Sequence, residues 1–200
     1  MELFLNATSP YARMVRIVVQ EKSLADAVTL RWCDPWADDA DLIQANPAGR
    51  IPALVTEDGT SLAESPLIAL YLDGLGNGEP ILPTSNMAEV LHFAGLGQNL
   101  MDSAFATVIS RKHHGSEADD SVMGQRRLRA MQRILDGLET ELNESRASAA
   151  LTLGDISVAV ALDYLSFRLP GVNWAHDRPN LEAWHRRTIS GASFQQTAFQ

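Results

Sequence analysis

The chain has 200 residues, 46% of them hydrophobic and 20% charged, with a formal net charge of −9 and a single cysteine, Cys33. The acidic surplus excludes nucleic acid as an expected partner, since phosphate binding needs a basic face, and the lone cysteine excludes an internal disulfide framework, a cysteine-based zinc site and a two-cysteine redox motif. No apolar run approaches the ~18 residues of a membrane span, and the opening Met1-Glu2-Leu3-Phe4-Leu5-Asn6 lacks the basic region of a signal peptide, so the expected location is cytoplasmic with no membrane partner.

In chain order, residues 2–5 read as a short strand and Asn6-Ala7-Thr8-Ser9-Pro10 as a turn into a helix. Proline suits a first helical position because its φ is preset and its missing amide is not needed there. That helix is predicted over residues 10–21, with Val15, Ile17, Val18 and Val19 on its apolar face. Residues 28–32 form a predicted second strand, with Cys33 as a small apolar residue at its end, and residues 38–45 a short second helix. The breaker-rich stretch Asn46-Pro47-Ala48-Gly49-Arg50-Ile51-Pro52 leads into a third strand at 53–55. Glu57-Asp58-Gly59-Thr60 predicts a hairpin with a type I′ turn, followed by a fourth strand at 61–63. Glu64-Ser65-Pro66 opens a helix over 66–75, with Ser65 as its N-cap and Pro66 in first position. The order β-α-β-α-β-β-α implies an α/β unit with a mixed sheet.

Beyond Pro83 the pattern is helical throughout: residues 87–113, 121–142, a stretch from Thr152 to Phe167, 179–189 and 194–199. Thr152 and Asp155 have the spacing of a capping box, and Leu151 and Ile156 that of a hydrophobic staple. The helix that follows is apolar on most faces and should be the core of its domain. Gly154 in its first turn is expected to weaken that turn slightly. The predicted organisation is an α/β domain over 1–78 and an all-helical domain over 85–200.

Five segments in this order resemble the glutathione S-transferase family along the whole chain. Ser9-Pro10-Tyr11-Ala12-Arg13 is similar to the active-site turn of its serine-type bacterial members. Asn46-Pro47-Ala48-Gly49-Arg50-Ile51-Pro52-Ala53-Leu54 resembles the stretch that ends in a cis-proline. Glu64-Ser65-Pro66-Leu67-Ile68 resembles the turn that receives the γ-glutamyl end, and Thr152-Leu153-Gly154-Asp155 the capping box of the second domain. Arg178-Pro179-Asn180-Leu181-Glu182-Ala183-Trp184 fits the family's tail. The resemblance implies a thioredoxin-like N-terminal domain with a mixed four-stranded sheet, an all-helical C-terminal domain, a homodimer, and glutathione as co-substrate with no metal.

It also implies roles. A thiol with an ordinary pKa near 8.5 is mostly protonated at neutral pH, and the thiolate is the nucleophile. Ser9 would donate a hydroxyl hydrogen bond to the sulfur at the positive end of a helix; lowering the pKa by about two units takes roughly 2.7 kcal/mol of preference for the anion. Read as a bare feature, Ser9 is a helix cap. A cis bond before Pro52 would turn the Ile51 amide and carbonyl toward the cysteinyl part of the ligand, pairing as an added strand does. Ser65 would bind the glutamyl carboxylate at a helix N-terminus, and Glu64 its ammonium. Arg50 either meets the glycyl end or is a solvated loop charge. Tyr11, Trp36, Met101, Phe105 and His113 are candidates for the border of an electrophile pocket, with core packing or plain exposure as the competing reading of each. The acidic stretch 34–43 offers no basic residue for the glycyl end. His113-His114 has no third ligand at zinc spacing, and Gly74-Leu75-Gly76-Asn77-Gly78 follows a helix, which makes it a cap and linker and not a phosphate loop.

The implied activity is addition of the glutathione thiolate to a small electrophile, or displacement on one. The competing readings are a non-catalytic glutathione-binding or protein-interaction member of the fold, and a glutathione-dependent isomerase or dehalogenase.

Overall fold

A computed structural model describes residues 1–142 and 150–200. They fall into two compact units, Met1–Thr84 together with Ala192–Gln200, and Ser85–Gly191. Residues 192–200 therefore pack with the first unit, although they follow the helical region in sequence.

The first unit contains β1 (Glu2–Leu5), α1 (Pro10–Glu21), β2 (Thr29–Trp32), α2 (Ala40–Ala45), β3 (Ala53–Val55), β4 (Ser61–Ala63) and α3 (Ser65–Leu75). Its four-stranded sheet has the order β2-β1-β3-β4. β1 runs parallel to β2 and antiparallel to β3, and β3 is antiparallel to β4. This is the expected mixed, thioredoxin-like sheet. Strand alternation sends Phe4 to one face, where it packs with Leu42, Ala45 and Ala53, and sends the fully buried Leu3 and Leu5 to the other. Met14, Val15, Ile17 and Val18 of α1 are likewise fully buried.

The first unit departs from the sequence reading at three turns. Only Gly59 of the hairpin loop has a positive φ, at 82°, whereas a type I′ turn needs two. The Gly59 amide bonds the Thr56 carbonyl and the Thr56 amide bonds the Thr60 carbonyl, giving a three-residue loop that closes on glycine. Asp58 stays out of the left-handed region because its carboxylate accepts from the Thr56 hydroxyl and the Thr60 amide. Helix α2 starts two residues late: Asp38 has φ 51°, and Asp39 caps the helix by accepting from the Leu42 amide. Ser65 is not the N-cap of α3. It is the first helical residue, and Glu64 takes the cap position at φ 69° and ψ 114° without a side-chain cap bond.

The end of α1 is tied to α3 through a buried ion pair. Lys22 Nζ lies 3.0 Å from Asp73 and donates to the Gly78 and Glu79 carbonyls, while Asp73 accepts from the amides of Ile81 and Leu82. Gly76 lets the backbones meet there, since a Cβ on it would stand 2.4 Å from Lys22 Cβ.

The second unit holds α4 (Met87–His114), α5 (Val122–Glu141), α6 (Leu153–Arg168) and α7 (Pro179–Thr188). The capping box of α6 is formed: Thr152 Oγ1 accepts from the Asp155 amide at 3.2 Å, and the Thr152 amide donates to Asp155 Oδ2 at 2.9 Å. Gly154 does more than weaken its turn. A Cβ there would stand 2.7 Å from Phe93 Cβ and 2.9 Å from the Val90 carbonyl oxygen, so its missing side chain is what admits α4. Gly97 of α4 does the same for α6, where a Cβ would lie 2.5 Å from the Ser157 carbonyl carbon. A final short helix, α8 (Ala192–Gln196), belongs to the first unit.

Candidate functional site

The sheet register gathers most of the predicted site residues at one end of the first unit. Phe4 pairs with Ala53, and Ala53 with Ala63. β1 leaves this row toward Ser9, β3 enters it from Arg50, Ile51 and Pro52, and β4 leaves it toward Glu64 and Ser65. β2, parallel to β1 with Trp32 opposite Leu5, exits at the same end toward Cys33 and Trp36. α1 and α3 both begin here, so two positive helix ends face the same loops.

Ser9 sits at φ −78° and ψ 124°, the extended geometry of an N-cap, and its Oγ accepts from the Ala12 amide at 3.2 Å. The hydroxyl hydrogen donates to no described residue. Capping uses a lone pair and leaves the proton, so the cap role does not compete with donation to a ligand. The turn is held from below by Asn6, whose Oδ1 accepts from the Ser9 amide at 2.8 Å and the Thr8 amide at 3.1 Å. Sequence pattern alone does not single out Asn6. The signal was an asparagine opening a turn whose side chain mimics a backbone carbonyl.

The Ile51–Pro52 bond is cis, as the resemblance implies. Neither the amide nor the carbonyl of Ile51 is hydrogen-bonded among the described residues. The loop before it is held by Asn46, which is 8% exposed: its Nδ2 donates to the Arg50 carbonyl at 2.8 Å and its Oδ1 accepts from Ala48. Asn46 is a second positioning residue, hidden in sequence within the breaker run. The Arg50 side chain is exposed.

Ser65 is 2% exposed, and neither its hydroxyl nor its amide has a partner among the described residues. The preceding Glu64, exposed and in the left-handed region, carries backbone strain of order 1–3 kcal/mol, the kind that persists where a site over-determines its geometry. Tyr11 is half-buried and Trp36 is 57% exposed. The other three pocket candidates lie on α4 of the second unit. Met101 is fully buried there and presents no surface to a small molecule, whereas Phe105 and His113 are exposed. Burial first, and the Asp39 carboxylate second, push the Cys33 thiol up, so it stays protonated at neutral pH and is a poor nucleophile.

Among the described residues no group of three or more His, Cys, Asp or Glu is placed to hold a metal ion, and no helix is long and apolar enough to cross a membrane.

Comparison with known proteins matches this geometry. The model of the glutathione S-transferase N-terminal domain matches residues 8–75, and that of the glutathione S-transferase C-terminal domain residues 124–187. The chain is 30% identical to the uncharacterized GST-like protein YibF of Escherichia coli (strain K12), with 98% of each covered. A glutathione transferase family member from Pseudomonas fluorescens Pf-5, solved with bound glutathione, superposes with a TM-score of 0.91 at 31% identity, covering 100% of this chain and 98% of that one. A second structure from that source, with bound S-(propanoic acid)-glutathione, gives a TM-score of 0.86 at 30% identity over 100% of both chains.

Proposed function

The chain belongs to the glutathione S-transferase family, and on that premise we propose that it is a glutathione transferase in which Ser9 holds the cosubstrate as a thiolate for attack on a small electrophile. The observation that carries this reading is the Ser9 hydroxyl, which caps α1 through its oxygen and keeps its hydrogen for a ligand. The unpaired Ile51 amide and carbonyl would bind the cysteinyl part, and Ser65 with Glu64 the γ-glutamyl end at the start of α3. Arg50 is assigned to the glycyl end. Residues 1–78 are thus the glutathione-binding part, and the helical unit, residues 85–191, is assigned the electrophile side through Phe105 and His113. The relative bound to S-(propanoic acid)-glutathione supports an electrophile small enough to leave a short substituent on sulfur. A reaction that consumes a reduced thiol fits the cytoplasm, where thiols are kept reduced.

The test is the difference absorbance of bound glutathione thiolate against pH. The expected result is a thiol pKa about two units below its ordinary value near 8.5. Saturable binding with an unmoved pKa would make the protein a glutathione-binding module, and no binding would overturn both readings.

A homodimer is the assembly we assign. On α3, Leu67 (60% exposed), Leu70 (36%), Tyr71 (37%) and Leu75 (51%) form an uncharged outer stripe at helical spacing, a patch that soluble monomers rarely leave open. Leu67→Glu combined with Tyr71→Glu is expected to halve the mass in light scattering while the circular dichroism stays helical. A wild-type monomer, or a double variant of unchanged mass, counts against the assignment.

A further inference from the structure

Residues 192–200 return to the unit that carries Ser9. At five residues α8 is too short to persist on its own, and its final carbonyls have no intrahelical partners. Two arginines of α1 supply them. Arg13 Nη2 donates to the Phe194 carbonyl at 3.3 Å, and Arg16 donates to the carbonyls of Gln196 at 3.3 Å and Thr197 at 3.4 Å. The Arg13 guanidinium, in a residue 4% exposed, stands 4.6 Å from the ring centroid of Phe199 and 5.9 Å from that of Phe194. Arg16 stands 5.4 Å from that of Trp32. Two neighbouring guanidiniums in a buried setting are unfavourable by themselves: burial first, and Arg13 second, pull the Arg16 guanidinium below its ordinary value. Carbonyl oxygens and aromatic faces of the returning segment offset that cost.

Arg13 is also part of the first turn of α1. Its amide donates to the Ser9 carbonyl at 3.0 Å, and the neighbouring Ala12 amide donates to Ser9 Oγ. A first turn is where a helix frays most readily, and a displacement near 1 Å at a reacting group can cost about a hundredfold in rate.

We propose that Arg13 is a positioning residue for Ser9, and that residues 192–200 are the brace against which its side chain is locked. The inference rests on the reading of Ser9 as the group that activates the thiol. Arg13 touches no reacting atom. It fixes the rotation of the first turn, and with it the direction in which the Ser9 hydroxyl points.

The test uses the full chain with Arg13→Met, which keeps apolar length without the charge, alongside Arg13→Lys and Phe199→Ala. For Arg13→Met the bound-thiol pKa is expected to rise by about half a unit to one unit and kcat at pH 6.5 to fall roughly two- to fivefold, with the KM for glutathione within about twofold. The deficit should close as pH rises past the ordinary thiol pKa near 8.5, because solvent then supplies the ionisation. Arg13→Lys should restore part of kcat, and Phe199→Ala should move the thiol pKa in the same direction by less. A lowered wild-type thiol pKa that Arg13→Met leaves in place, with a pH profile parallel to wild type, overturns this inference alone. If Arg13→Met does not fold, the same result in Phe199→Ala overturns it. A wild-type thiol pKa at its ordinary value overturns the Ser9 reading and this inference with it.

Discussion

Ser9→Ala is expected to lower kcat at pH 6.5 roughly five- to tenfold while changing the KM for glutathione by no more than about twofold. A thiol pKa returned upward by about two units leaves roughly one-fiftieth of the thiolate at that pH. The more basic thiolate is intrinsically more nucleophilic and recovers part of the loss. Binding is spared because Ile51 and Ser65 present their groups independently of the α1 cap. The deficit should narrow with rising pH, since the variant still ionises, only later. Removing the hydroxyl also removes an N-cap worth about 1 kcal/mol, so stability has to be separated from chemistry. Ser9→Asp does this: aspartate caps as well as serine, yet an ionised carboxylate has no hydrogen to donate and repels a thiolate. It should recover the melting temperature and stay at least as slow as Ser9→Ala. Rate and binding lost in equal measure, or a rate unchanged in Ser9→Ala, would remove Ser9 from the mechanism.

Gly97→Ala is expected to destabilise the protein by about 2–3 kcal/mol, the scale of overpacking a filled interior, which for a chain of this size lowers Tm by roughly 5–10 °C. The new methyl carbon would run into the peptide bond of α6, 2.5 Å from the Ser157 carbonyl carbon and 2.6 Å from the Val158 nitrogen, and backbone of a packed helix has nowhere to turn. Gly95, two residues earlier on the same helix, has nothing within 4 Å of an added Cβ. Gly95→Ala should therefore be neutral or stabilising by up to about 1 kcal/mol, from helix propensity alone. Thermal melts of the two single variants decide it: if they shift Tm alike, the close approach of α4 and α6 is not what Gly97 is there for.

The elements that local pattern could reveal were those whose cause is local. The Thr152–Asp155 capping box, the Ser9-Pro10 helix start and the breaker run ahead of β3 each owe their form to residues three or four positions apart. Gly154 is not legible locally, because its reason lies in Phe93 and Val90, far earlier in the chain, and propensity sees only the turn it stands in. Pattern alone puts Ser65 at the cap, because serine outranks glutamate there. The chain nevertheless puts Glu64 at positive φ, which leaves the Ser65 hydroxyl and amide unspent. In sequence Asn46 is one more loop residue, and only the fold shows its side chain holding the Arg50 carbonyl. The pairing of Arg13 and Arg16 with α8 spans 180 residues or more, beyond the reach of any periodicity.

The first unit is also discontinuous in a way that matters while the chain is being made. Its two pieces, Met1–Thr84 and Ala192–Gln200, are separated by residues 85–191. At about 5–20 residues per second of synthesis, the sheet and α1 would wait roughly 5–20 s beside the ribosome with the Arg13 and Arg16 guanidiniums uncovered, until the segment that receives them emerges. The part of the molecule made first is thus among the last to be finished, and a chain released early, inside the helical region, would carry Ser9 on a helix whose outer side was never closed.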